Sequence, residues 1–292
     1  MTAQEMLTAA FLEAVGALDF AGAVREGVAS SLLAPPDDAG RIGVGEGATA
    51  PEARVLAIAI GKAAPQMMQG ALEALGERIA RTVIVCPDGT PVTFDADEIL
   101  RAGHPFPDER SVAAAARLLE LAGETTPSDV LLVLVSGGAS ALACAPHAGI
   151  TFETKLAVTG ALLRAGATIV EFNTVRRHLS RFKGGGLTRA ARGPVIGLLA
   201  SDVIGGAPHD IGSGPTAPDP TTIADARAIL AQYAPEFSSL PLVASLAPQD
   251  EAAAREQHAI VIEPETLADH AVRALTQRGF ACARLAASLS PV

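Results

Sequence analysis

Residues 129–140 read DVLLVLVSGGAS, an uninterrupted apolar run that passes directly into two glycines flanked by serines. A continuous run of Val, Ile and Leu is typical of a parallel strand that is buried on both faces of a sheet. Three further runs of this kind lie at residues 54–60, 81–86 and 194–200, and helical patterns separate them. The sequence therefore predicts an α/β fold with a mainly parallel sheet and helices on both faces, a Rossmann-like three-layer arrangement.

The composition of the 292 residues narrows the class of protein. A hydrophobic fraction of 49% is ordinary for an α/β protein, and a net charge of −10 argues against a general binder of nucleic acids or anionic membranes. Three widely spaced cysteines form neither a disulfide framework nor a zinc motif, which favours the reduced cytoplasm. Because the apolar N-terminal stretch contains acidic residues, we interpret it as an amphipathic helix and not as a signal peptide or membrane span.

Chemically useful residues follow the predicted strands. Lys62 comes just after the first strand, the SGGAS turn at 136–140 follows the third, and Asp202 follows the fourth. Ligands of open α/β sheets gather at the carboxyl ends of strands, and glycine lets the backbone approach a ligand closely. The structural alternatives are an ordinary surface lysine, a tight glycine turn and an aspartate that caps a turn or helix.

Positive charge concentrates in one part of this acidic chain. Five basic residues crowd residues 176–183 and run into the glycines 184–186, and a second glycine-rich loop ends at residues 212–216. Because neighbours on a helix point about 100° apart, one of Arg176 and Arg177 is expected to face away from any site. Asn173 is either a ligand-binding residue or the N-cap of a helix over residues 174–181. The plainest alternative for the cluster is a solvated helix face.

The remaining segments carry structural predictions. Helical periodicity over residues 151–167 places four apolar side chains on the core face: Phe152, Leu156, Leu162 and Leu163. Three prolines within residues 234–254 predict a linker. Beyond it, a β-α-β unit that either joins the main sheet or opens a further domain is predicted at residues 258–262, 264–278 and 280–286.

Seven sequence blocks, in this order, resemble the glycerate 2-kinase family, whose members are often labelled hydroxypyruvate reductase and carry a C-terminal MOFRL domain. The blocks are IGKA (60–63), GHP (103–105), SGGAS (136–140), NTVRRHLS (173–180), KGG (183–185), SDV (201–203) and SGPTAPDP (213–220). The resemblance covers residues 5–240. It implies a kinase that uses ATP and Mg²⁺ to phosphorylate the 2-hydroxyl of D-glycerate, which gives 2-phosphoglycerate.

The resemblance also implies site residues. Lys62, Arg176 and Asp202 would be catalytic, and Asp202 would hold Mg²⁺ or orient the reacting hydroxyl. Phosphoryl transfer depends on positioning and charge neutralisation, so Lys62 would neutralise phosphate or the substrate carboxylate. Arg176 and Lys183 would hold the anionic substrate or nucleotide. The full set of predicted substrate- or nucleotide-binding residues is Ser136, Gly137, Gly138, Ser140, Asn173, Arg177, Lys183, Gly184, Ser213 and Gly214.

The resemblance divides the chain into an N-terminal kinase domain at residues 1–240 and the start of a C-terminal MOFRL-type domain at 255–292. Family members are longer by the rest of that domain, so residues 1–292 alone are expected to turn over slowly, because closure of two domains completes such sites. D-glycerate and ATP are the expected partners, in the cytoplasm, without nucleic acid or membrane. The sequence leaves a homodimer open.

Two alternative functions have weaker support. One is a non-catalytic fragment that holds nucleotide or acid, and the other is a hydroxypyruvate reductase. A dinucleotide-binding reductase needs a Gly-x-Gly-x-x-Gly turn that follows a strand and opens a helix. No predicted strand is followed by this motif, and GVGEG at residues 43–47 resembles it only superficially.

Overall fold

The computed structural model describes residues 2–29 and 53–283 and, between these ranges, the backbone of three two-residue strands. These are β1 (Leu33–Ala34), β2 (Gly43–Val44) and β3 (Gly47–Ala48), which pair in antiparallel fashion in that order. The GVGEG segment therefore contributes to two antiparallel strands. A dinucleotide fingerprint would instead join a parallel strand to a helix.

A parallel sheet of six strands contains the predicted apolar runs. Its strands are β4 (Val55–Ile60), β5 (Ile79–Pro87), β6 (Glu98–Ala102), β7 (Val130–Val135), β8 (Val195–Ala200) and β9 (Glu256–Ile262). The spatial order is β6-β5-β4-β7-β8-β9, and every neighbouring pair is parallel. The predicted parallel α/β sheet is confirmed, with the four predicted strands at β4, β5, β7 and β8.

Ten helices accompany the strands in the described residues. They are α1 (Ala3–Gly16), α2 (Phe20–Gly27), α3 (Ala64–Leu75), α4 (Glu109–Gly123), α5 (Ala139–Leu142), α6 (Phe152–Arg164), α7 (Ile169–His178), α8 (Gly186–Ala190), α9 (Ile223–Tyr233) and α10 (Pro264–Gln277). The apolar stretch Ala3–Gly27 has the length and mean hydropathy, 1.5, of a membrane span, yet it contains both α1 and α2. By length and composition alone such a stretch also fits helices of a soluble protein.

Helices cover both faces of the sheet, which is why its central strands are apolar throughout. Ile58 of β4 and Leu199 of β8 belong to one core cluster with residues of α4 and α8. The neighbouring Leu198 points the other way and lies against Gly27 of α2. Because successive side chains of a strand alternate between faces, β4, β7 and β8 are buried along their whole lengths.

The strand order reverses between β4 and β7. The chain builds outward from β4 to β6 and then crosses back to add β7, β8 and β9 on the other side of β4. Ile60 at the end of β4 is in register with Val135 at the end of β7. The loops that follow these two strands therefore start side by side, at the kind of switch point where open α/β sheets bind ligands.

The chain separates into two compact units. Residues 20–262 contain the six-stranded sheet, and the second unit combines residues up to 19 with residues from 263 onward. In this second unit α1 packs against α10, and Arg278 forms an ion pair with Glu13 at 2.7 Å.

The predicted β-α-β unit is only partly present. Its first strand, β9, extends the main sheet beside β8, and its helix is α10. Residues 280–283 form no strand, and the rest of the predicted second strand lies outside the described residues. The predicted domain boundary between residues 240 and 255 stays a prediction.

Two local predictions are corrected. Thr168 caps α7 in a capping box with Glu171, so the helix starts at Ile169 and Asn173 lies inside it, not at its N-terminus. Residues 234–254 are not a free linker, because part of this segment packs on the fold. Leu246 is fully buried, and its backbone N–H donates a hydrogen bond to the Gly184 carbonyl. Proline content alone did not reveal that this segment packs on the fold.

Candidate active site

The turns after β4 and β7 are bonded to each other. The Lys62 N–H donates to the Gly137 carbonyl at 3.0 Å, and the Ala63 N–H donates to Ser136 Oγ at 3.1 Å. Gly61 has a φ of +133°, and a Cβ placed on it would overlap the Ser136 hydroxyl. Ser136, predicted to bind a ligand, is therefore buried and holds the turn, while the Lys62 side chain remains exposed.

Three polar side chains closely approach the backbone of Gly137 and Gly138. A Cβ on Gly137 would overlap the Asp202 carboxylate and lie 3.5 Å from Lys62 Cε. A Cβ on Gly138, whose φ is +91°, would lie 3.0 Å from His104 Nε2. The N–H groups of both glycines donate no hydrogen bond to the described part of the chain. We call Lys62, Gly137, Gly138, Asp202 and His104 the cradle.

His104 adds an uncharged base to the cradle. Burial lowers its pKa below the usual range, and the positive charge of Lys62 lowers it further. The imidazole is therefore neutral at pH 7 and has a nitrogen that can accept a proton. The sequence places His104 between glycine and proline but gives no reason to prefer a catalytic role over a structural turn.

Metal binding at the cradle would rest on Asp202. Among the described residues, no group of three or more His, Cys, Asp or Glu side chains could hold a metal ion. Mg²⁺ is commonly bound through one or two carboxylates together with substrate phosphates. One exposed carboxylate beside the Gly137 backbone fits that mode, in which the ion arrives with the nucleotide.

Three cations converge next to the cradle, and we call Lys155, Arg176 and Lys183 the basic cluster. Lys183 Nζ donates to the Ser140 carbonyl at 2.9 Å, and an Arg176 Nη donates to the same carbonyl at 3.3 Å. The Arg176 guanidinium also lies 4.9 Å above the Phe172 ring. Lys155 is 3% exposed, and its Nζ has no hydrogen-bond partner among the described residues.

The pKa values of the basic cluster are all lowered. Burial lowers the pKa of Lys155 to about 8 and that of Arg176 to about 10. Burial also lowers the pKa of Lys183 well below its usual range, and the charges of Arg176 and Lys155 add to this effect. These groups repel one another in a poorly solvated place, so a bound anion would relieve all three.

A cavity of about 510 Å³ joins the basic cluster to the cradle. Gly138 and His104 of the cradle line it, as do all three cations, and none of the described carboxylates does. Its remaining wall is largely apolar and includes Phe106, Leu156 and Leu163. Its volume is within the range of small-molecule sites, and its charge selects for anions.

A polar triad lies beside Arg176. Ser213, at a φ of +60°, has its Oγ 2.8 Å from Ser140 Oγ and donates to Asn173 Oδ1 at 3.1 Å. Asn173 Oδ1 also accepts from Arg176 at 3.4 Å. Asn173 and the Ser140 carbonyl thus contact the arginine, and the triad connects α5, α7 and the loop before α9.

Three of the ten predicted binding residues line the cavity: Gly138, Ser140 and Lys183. Three of the others are packed within the fold. Arg177 is 1% exposed and pairs with Asp219 at 3.0 Å. Gly184 is packed so tightly that a Cβ would lie 2.7 Å from Ser245 Cβ, and one on Gly214 would lie 2.8 Å from the His209 backbone. These residues serve the fold, and Arg176 is the neighbour that faces the cavity.

Lys155 is the site residue that sequence reasoning missed. The predicted core face of α6 included Leu156 and Leu163, but these are 37% and 59% exposed and line the cavity. The buried face instead contains Lys155, Val158 and Leu162. The available signal was helical spacing, because Lys155 precedes the buried Val158 by three residues and the buried Leu162 by seven.

Comparison with known proteins places the chain among glycerate kinase relatives. A family model described as "Domain of unknown function (DUF4147)" matches residues 6–245. D-glycerate 2-kinase of Thermotoga maritima is 42% identical over 187 residues, which is 63% of this chain and 45% of the relative. A protein of Agrobacterium vitis named "Putative hydroxypyruvate reductase" is 43% identical over 184 residues, which is 63% of this chain and 42% of the relative.

A solved glycerate kinase from Thermotoga maritima superposes with a TM-score of 0.73 at 30% identity, over 94% of this chain and 63% of that one. The chain thus spans less than half the length of these curated relatives and less than two thirds of the solved structure.

Proposed function

This chain belongs to the DUF4147 family, which the comparisons connect with glycerate kinases, and we propose that it acts as a glycerate 2-kinase. In this proposal ATP phosphorylates the 2-hydroxyl of D-glycerate. The observation that carries the proposal is the cradle at the strand-order reversal. There a lysine, a carboxylate and a neutral histidine meet two backbone N–H groups that have no partner in the described part of the chain. Phosphoryl transfer relies on such positioning and charge neutralisation.

Each cradle residue has a distinct task. The Lys62 ammonium neutralises charge on the transferring phosphoryl group, and the N–H groups of Gly137 and Gly138 donate to its oxygens. Glycine is required at position 137 because any side chain there would occupy the space beside Asp202. Asp202 would hold Mg²⁺, which supplies further neutralisation of the phosphate charge when it is bound.

His104 is the proposed proton acceptor. As the phosphorus–oxygen bond to the 2-hydroxyl forms and the bond to ADP breaks, the hydroxyl proton passes to the neutral imidazole. The lowered pKa of His104 keeps it unprotonated and ready at pH 7. Its position beside Gly138, which lines both cradle and cavity, supports this role.

The reductase reading is disfavoured by the loops after the strands at the switch point. They are GKA after β4 and SGGAS after β7, and neither is a Gly-x-Gly-x-x-Gly turn. The proposed setting is the cytoplasm, with D-glycerate and ATP as small-molecule partners.

An ADP-release assay with D-glycerate, ATP and Mg²⁺ tests the proposal on the protein as its genome encodes it. We expect 2-phosphoglycerate as the product, identified by phosphorus NMR, and a drop of roughly 100- to 1000-fold in turnover for Lys62→Met. Arg192→Met is the matched control, because it also removes one exposed charge. Arg192 lies just before β8, at the amino-terminal end of that strand, whereas the cradle lies at the carboxyl ends. Oxidation of NADH with hydroxypyruvate, without ADP release, would establish the reductase instead.

A further inference from the structure

The basic cluster combines two buried lysines with a partly buried arginine, and the described residues do not neutralise these charges. Lys155 is 3% exposed and Lys183 is 1% exposed, and no carboxylate of the described residues lines the cavity that they share with Arg176. Within the described part of the chain, Lys183 donates only to two carbonyl groups, those of Ser140 and Ala143. Lys155 Nζ has no partner among the described residues. A buried ammonium without a partner is costly, so proteins seldom retain one unless something else compensates it.

The position of the cluster indicates what compensates it. Its cavity reaches Gly138 and His104, so a small molecule in it would lie against the cradle. A 2-hydroxy acid carries its carboxylate one carbon away from the hydroxyl that reacts. An acid whose hydroxyl lies near His104 therefore extends its carboxylate into the adjoining cavity.

We propose that Lys155, Arg176 and Lys183 form the subsite for the carboxylate of the acceptor acid, and that Lys155 makes this subsite selective for acids over neutral polyols. The inference rests on the proposed kinase function and adds the part of the site that recognises the acceptor. Arg176 offers a planar fork for a carboxylate, and the two lysines add point charges. The phosphate groups of the nucleotide belong in the cradle.

Binding at this subsite takes up protons. The groups that face Lys155 are Arg176 and Cys144, and the same two, with Lys155, face Lys183. A carboxylate raises the pKa of each lysine toward its usual value, because it favours the charged form. Burial places the pKa of unliganded Lys155 at about 8, so affinity for the acid should fall as the pH rises above that value.

Titration calorimetry on the protein as its genome encodes it tests the subsite with four probes: D-glycerate, glycerol, ADP and inorganic phosphate. We expect Lys155→Met to weaken D-glycerate binding by about thirtyfold or more, and to leave ADP binding within about twofold of wild type. Glycerol should bind neither protein. Arg192→Met, the charge-matched control, should bind all probes like wild type.

A second arm requires no variant. Affinity of wild-type protein for D-glycerate should fall between about pH 7.5 and about pH 9.5, with net proton uptake measured in buffers of different ionisation enthalpy. Unchanged D-glycerate affinity in Lys155→Met, or affinity independent of pH, would overturn the subsite. Loss of ADP or phosphate binding in Lys155→Met, with D-glycerate binding retained, would assign the basic cluster to the nucleotide. That result would also overturn the carboxylate subsite.

The two proposals fail separately. Lys155-dependent binding of D-glycerate without ADP release would refute the kinase and retain an acid-binding site. Phosphorylation of D-glycerate with full activity and affinity in Lys155→Met would retain the kinase and refute the subsite.

Discussion

Arg176 and Arg177 are neighbours on one helix, yet they belong to regions with opposite electrostatic balance. Arg177 lies against two carboxylates, with its Nε 3.0 Å from Asp219 and an Nη 3.7 Å from Asp210. Arg176 faces a cavity that two lysines and, among the described residues, no carboxylate line. The fold thus neutralises the buried Arg177 and leaves the partly buried Arg176 for a ligand. Charge pairing separates structural arginines from binding arginines more clearly than sequence position does.

The largest effect on stability should come from the buried ion pair of Arg177 and Asp219, in which the charges balance. Asp219 is buried, accepts hydrogen bonds from Thr221 and Ser245, and forms an ion pair with Arg177. Asp219→Ala would leave that guanidinium with only the more distant Asp210 carboxylate, at 3.7 Å, and we expect the free energy of unfolding to fall by about 3–5 kcal/mol. Denaturant unfolding measures it. A loss below about 1 kcal/mol would show that the buried pair is not what stabilises this region.

A change in stability of opposite sign is expected at Lys155 of the basic cluster. Burial holds the pKa of folded Lys155 at about 8, whereas a solvated lysine titrates near about 10.4. Between these values the unfolded chain binds more protons, so wild-type stability rises with pH through this window. Below it, the buried charge destabilises the fold. We therefore expect Lys155→Met to raise the free energy of unfolding at pH 7 by roughly 1–3 kcal/mol.

The check on that sign is denaturant unfolding of wild type and Lys155→Met at several pH values. The advantage of the variant should shrink from about pH 8 upward and disappear near about pH 10. A variant that is less stable than wild type at pH 7 would mean that the ammonium has a stabilising partner in the fold, and the contrast with Arg177 would not hold.

The smallest effects sharpen the comparison through two glycines. Gly184 has a φ of +58°, and a Cβ would lie 2.7 Å from Ser245, so Gly184→Ala should cost about 1–3 kcal/mol of stability. At Gly137 a Cβ would displace the exposed Asp202 side chain. Gly137→Ala should cost less than about 1 kcal/mol of stability yet lower turnover about tenfold or more.

Paired measurement of melting temperature and ADP release separates the two glycine variants. The account expects Gly184→Ala to melt earlier with near-normal turnover per folded molecule, and Gly137→Ala to show the reverse. Equal losses of stability in both variants would remove the distinction between a structural and a functional glycine.

The sequence predicts the fold well where burial is complete. β4, β7 and β8 are buried on both faces, so their apolar runs are continuous and easy to locate. β6 was not predicted, because it is an edge strand in which Glu98 and Arg101 remain partly exposed. β6 is covered less completely than the central strands, so polar residues interrupt its apolar run and its pattern resembles that of a loop.

The site is less predictable because its residues meet through tertiary packing. Residues at strand ends, Lys62 and Asp202, follow from the rule for open sheets. Lys155 does not, because on a helix a core face and a cavity wall have the same periodicity. The sequence indicated that one of Arg176 and Arg177 faces away, but the choice depends on where Asp219 lies in the folded chain.

The most direct test of the role of the basic cluster in carboxylate binding is a crystal structure of the protein with D-glycerate bound. The account predicts a carboxylate oxygen within about 3.2 Å of Lys155 Nζ and within reach of Arg176 or Lys183, with the 2-hydroxyl directed toward His104. A D-glycerate molecule bound elsewhere, with Lys155 Nζ still lacking a partner, would contradict it.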